Sequence, residues 1–110
     1  MEKLPTTVEE GKTNAIISYI TIIGTIVALV LNNGKKNAFA SFHIRQMIGL
    51  NILSLINSLI LARFLGPFIT GGISIILLVL WVIGFMGVLK GEEKLVPVVG
   101  AQFQDWFKGI

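Results

Sequence analysis

The sequence predicts an all-α integral membrane protein: three transmembrane helices joined in two tight hairpins, then a short C-terminal amphipathic interfacial helix. Three observations predict it. Of 110 residues, 54% are hydrophobic and only 14% charged, whereas ordinary soluble domains carry roughly a quarter charged residues. The charged residues leave three uncharged windows, 13–34, 46–62 and 64–89, and a hydrocarbon core of about 30 Å takes about 20 apolar residues of helix. The connectors between the windows are short and rich in turn-forming residues.

The length allows one domain. Within that single domain, 1–110, the spans are expected at about 13–33, 41–63 and 68–90. The middle window is the shortest. Residues from Ser41 onward supply another turn, with Arg45 reaching toward head groups, and Asn37 and Ser41 are both plausible caps. Asn32-Asn33-Gly34-Lys35-Lys36-Asn37 reads as a polar turn. Arg63-Phe64-Leu65-Gly66-Pro67 carries a Gly-Pro breaker that ends one helix and starts the next. An odd number of spans and the lack of internal repeats argue against the inverted repeats of secondary transporters. After Lys90 the chain turns polar, and a helix of about 99–108 is expected to place Phe103, Trp106 and Phe107 on one face. That face would anchor at the interface or pack on the end of the bundle; both readings stand.

The first apolar run is longer than a signal-peptide core. Three Glu precede it and two Lys separate it from Ala38-Phe39-Ala40, so it is read as a span that is kept. Lys35, Lys36, Arg45, Lys90, Lys94 and Lys108 flank one side, whereas Lys3, Lys12 and Arg63 flank the other. The positive-inside rule therefore puts loop one and the C-terminus in the cytoplasm and the N-terminus outside.

On a wheel of about 100° per residue, His43, Gln46, Asn51, Ser54, Asn57 and Ser58 fall within about 140°. In the first window Asn14, Ser18, Thr21, Thr25, Ala28 and Asn32 share a face in the same way. Gly84, Gly87, Gly91 and Thr70 lie on one side of the third. Small residues and side-chain hydrogen bonds hold helices together in lipid, so the faces read as a packing seam. The alternative is a hydrated path or a seam for another protein.

All six acidic residues, Glu2, Glu9, Glu10, Glu92, Glu93 and Asp105, lie outside the windows, so the interior carboxylate of a proton-coupled carrier is missing. A lone His is a poor metal site, Cys is absent, and no Ser-His-Asp set or phosphate loop is visible. No enzymatic activity, cofactor, metal or nucleic acid is expected. His43 is open to two readings, interfacial hydrogen bonding or a switch, because imidazole titrates near neutrality.

Phe39-Ala-Ser-Phe-His-Ile-Arg-Gln46, Gly11-Lys-Thr-Asn-Ala-Ile-Ile-Ser-Tyr19, Lys90-Gly-Glu-Glu-Lys-Leu-Val-Pro97 and Phe103-Gln-Asp-Trp-Phe107 carry a resemblance. Together they resemble a family of small bacterial membrane proteins, itself described as similar to the twenty-kilodalton subunit of the chloroplast inner-envelope import translocon (Tic). The resemblance implies a helical protein of the bacterial cytoplasmic (inner) membrane connected with protein transport or assembly, and it singles out His43, Arg45 and Gln46. The chloroplast subunit is thought to have four spans, and three are counted here, so a channel role is not carried over. The expected function is an adaptor or accessory subunit making lateral helix contacts through Thr21, Thr25, Asn51, Ser54, Asn57 and Ser58. Its partners would be the lipid bilayer and a membrane protein or further copies of itself. The alternative function is a homo-oligomeric channel lined by the polar faces of helices one and two.

Overall fold

The structure, a computed structural model, describes residues 3–110, with side chains from residue 8 onward. Glu2, counted above among the acidic residues, and the side chain of Lys3, counted among the flanking charges, lie outside what is described. The chain is all-helical, with no strand among the described residues. Its helices are α1 (Lys3–Ser18), α2 (Ile22–Lys35), α3 (Ala38–Ile56), α4 (Ala62–Lys90) and α5 (Gly100–Trp106), with a single π-helical turn, Asn57–Leu61, between α3 and α4.

The first apolar run, expected as one span over 13–33, is two helices folded back on each other. Gly11 of α1 lies against Asn37 and Ala40. Asn32, near the end of α2, bonds Ser41 Oγ at 2.7 Å and accepts the Asn37 N–H at 3.0 Å. Both ends of the α1/α2 pair therefore meet the start of α3. The reason is local capping. Thr21 is extended and accepts the Gly24 N–H, starting a new helix. The carbonyls that α1 leaves open are taken by side chains: Thr25 Oγ1 donates to Ser18 O at 2.7 Å, and Trp81 Nε1 donates to Tyr19 O at 2.9 Å.

Asn37 caps α3 by accepting the Ala40 N–H at 2.9 Å. From there Ala38–Lys90 is the one helical stretch among the described residues long and apolar enough, by length and composition, to cross a membrane. It is divided at Gly66, whose φ of 82° and ψ of 167° suit glycine alone. Pro67 follows, and the second leg returns along the first: Asn57 Nδ2 donates to Thr70 O at 3.1 Å and to Ser74 Oγ at 3.0 Å.

The molecule measures 54 × 23 × 23 Å and has two unequal parts. In the head, Ala15, Tyr19, Phe39, Met47, Leu50, Leu80, Val88, Val96 and Phe103 form the main core, with Ala28, Ala40 and Ile44 in a smaller one. The arm is the remainder of the α3/α4 hairpin. Between residues 51 and 79 only Asn57 and Thr70 are buried, whereas Phe64 is 78% and Phe68 93% exposed.

The tail docks on the bundle. Phe103 packs where Gly49 has no side chain, and Gln104 Nε2 donates to Phe42 O at 2.8 Å. The expected common face of Phe103, Trp106 and Phe107 is thus divided: Phe103 is buried, Phe107 half-buried, and Trp106 66% exposed. α5 ends at Trp106, and Phe107, with a φ of −110° and a ψ of 25°, has already left the helix.

Candidate functional site

The polar residues of the head form one directed chain of hydrogen bonds. The Val96 N–H donates to Gln46 Oε1 at 2.8 Å, and Gln46 Nε2 donates to the Tyr19 hydroxyl at 3.4 Å. The Tyr19 oxygen stands 2.9 Å from His43 Nδ1, and His43 Nε2 stands 2.9 Å from the Glu92 carbonyl. A carbonyl only accepts, so the imidazole proton sits on Nε2. Nδ1 then accepts from Tyr19, whose own oxygen accepts from Gln46. The neutral ring gives every proton in the chain an acceptor. A backbone donor fixes one end of the relay and a backbone acceptor the other.

Helix geometry brings these groups together. His43 and Gln46 are three apart on α3 and share a face, and Tyr19 ends α1 beside them. Gly84 of α4 makes room, because a Cβ there would collide with the Tyr19 hydroxyl. Aromatic rings seal the site: Phe39 and Phe42 meet His43 edge-on at 4.9 and 5.1 Å, and Trp81 stacks on Phe85 at 5.2 Å. His43, Gln46 and Tyr19 are buried. The relay ties α1, α3 and the 92–96 segment into one unit, as a fully satisfied buried network does.

The other residues of the expected stripe go elsewhere. Asn51 Nδ2 donates to Thr25 Oγ1 at 2.9 Å, joining α3 to α2. Thr21, expected on a contact face, is an exposed cap. Asn57 faces α4, and its Oδ1 is buried without a partner. Ser54 is exposed at the mouth of a cavity of about 240 Å³ that Ser74 and Trp81 also line. Ser58 is exposed. From Asn57 to Leu61 the helix widens into a π turn, so a uniform wheel does not carry through Ser58. Arg45 bonds the tail: Nη1 donates to Gln104 Oε1 and Nη2 to Lys108 O, each at 3.2 Å.

Sequence reasoning missed Tyr19 and Trp81 as polar partners. The signal was present, since Tyr19 is the only tyrosine and a phenol or indole in an apolar run needs a hydrogen-bond partner when buried. Among the described residues, no three His, Cys, Asp or Glu side chains come together as metal ligands would. Comparison with protein-family models, curated proteins and solved structures finds no match to this chain.

Proposed function

We propose that the chain is an integral protein of the bacterial cytoplasmic membrane, held by the α3/α4 hairpin as two spans. In this reading it acts as an adaptor or accessory subunit in membrane-protein translocation or assembly, through lateral contacts of the arm. The observation that carries it is the arm itself, two helices whose outer surfaces are predominantly apolar and covered by nothing in the chain. Monomers in water rarely expose such patches beyond a few hundred Å². The uncharged run 46–62 separates Arg45 from Arg63, about 27 Å of helix at 1.5 Å per residue. That matches the hydrocarbon thickness.

This reading changes the sidedness expected for the N-terminal segment. With α1 and α2 folded back, Lys12, Lys35, Lys36, Arg45, Lys90, Lys94 and Lys108 flank the head and Arg63 alone marks the tip. The positive-inside rule then places the cation-bearing end of the head, with the α2/α3 turn and the tail, on the cytoplasmic side. The polar groups of α2 and α3 bond one another, which favours a packing seam over a water-lined path.

The test is purification from native membranes into nanodiscs, with photo-crosslinkers placed at Leu59 and Ile75 on the arm. Translocation or insertion proteins recovered in fixed ratio, crosslinked from those positions, support the adaptor reading. A closed ring of this chain alone would sink it.

A further inference from the structure

We propose that a cleft on the head, between the α2/α3 turn and the tail after α5, holds the phosphate of an anionic lipid head group. The proposal rests on the membrane reading above. The cleft has a volume of about 410 Å³ and is lined by Lys36, Ser41, Arg45, Glu93 and Lys108 among others. Three cations therefore face the Glu93 carboxylate and the main-chain carboxyl group of Ile110. Lys108 has a distant, exposed ion pair with Asp105 at 4.0 Å. Arg45 has none: its two Nη atoms bond uncharged oxygens of Gln104 and Lys108, and its Nε is buried without a partner.

A partly buried guanidinium without a counter-ion is costly. Its planar fork suits a phosphate better than any other biological anion except a carboxylate. Ser41 lines the cleft with its hydroxyl already engaged, accepting from Asn32 Nδ2 at 2.7 Å and donating to Ile110 O at 3.4 Å.

Depth selects the source of the phosphate. Arg45 immediately precedes the uncharged run 46–62, so with the arm in the bilayer the cleft opens at the head-group level. Basic pockets on the cytoplasmic side of membrane helices take anionic head groups in this way.

The experiment uses the full chain in nanodiscs of mixed phosphatidylcholine and phosphatidylglycerol, with retained lipid counted by native mass spectrometry. Wild type is expected to retain phosphatidylglycerol preferentially. Arg45→Gln should lower that preference roughly fivefold, as each surface cation contributes. Because Arg45→Gln also loosens the tail, the exposed pair Lys36→Gln/Lys108→Gln serves as a second variant and should lower it further. Lys35→Gln, outside the cleft, should leave it unchanged.

Equal retention of the two lipids by wild type, or equal preference in the cleft variants and Lys35→Gln, overturns the site while leaving the membrane reading intact. Release of the retained lipid by millimolar inorganic phosphate assigns the cleft to a soluble anion and overturns the lipid assignment. A chain that does not stay in the discs overturns the membrane reading and the site with it.

Discussion

A tyrosine hydroxyl in an apolar interior must give its proton to something and take one from something else, and Tyr19 does both within one relay. Replacing it by Phe leaves His43 Nδ1 without a donor and Gln46 Nε2 without an acceptor. Tyr19→Phe is expected to cost about 1–3 kcal/mol, the price of stranding buried polar groups. Thermal unfolding followed by circular dichroism in nanodiscs reads this directly, and an unchanged midpoint would mean that the relay adds nothing. Gly84→Ala drives a methyl into the same hydroxyl and should destabilise by about 1–3 kcal/mol through overpacking. Much at this scale is legible in advance. Asn14, Ser18, Thr25, Ala28 and Asn32, which share a face on the wheel, are all buried. Thr21 shares that face in projection and is nevertheless a cap. A hydroxyl that ends a helix and one that faces a neighbour have the same spacing.

Elements were harder to read than residues wherever a break carried no Gly-Pro mark. The reversal at Gly66 announces itself in sequence, because glycine supplies the positive φ and proline cannot continue the preceding helix. Gly66→Ala is expected to cost about 1–3 kcal/mol. It should also loosen the two legs, which can be followed by the rate at which Cys substituted at Asn57 and Ser74 form a disulfide. An unaffected rate would argue against strain at the turn. The reversal between α1 and α2 has no such mark. An unbroken apolar run reads as one helix, because its capping partners Thr21, Thr25 and Trp81 come from inside that run or from α4. The π turn was illegible for a related reason, since periodicity assumes one pitch throughout.

At the scale of the molecule, the folded-back α1 and α2 make a sharp prediction about sidedness. The chain has no native cysteine, so Lys12→Cys, Arg63→Cys and Lys108→Cys each carry a single label site. In sealed inside-out vesicles, an impermeant thiol reagent is expected to label positions 12 and 108 and to spare 63. Labelling of 108 with protection of both 12 and 63 would restore three spans. The all-helical architecture was legible from the long uncharged windows, while the path of the first run was not, because charge spacing limits the length of a helix and not its direction.

The relay has a bearing on how the protein is made. His43 and Gln46 find their backbone partners 49 and 50 positions later. When α3 leaves the ribosome, those two side chains have nothing to bond except Tyr19 and water. If the arm spans the membrane as proposed above, its insertion is expected to precede completion of the head. The closing of Glu92 and Val96 onto α3 is expected to come after both legs are seated, so that the last bonds of the head report that the hairpin has been threaded.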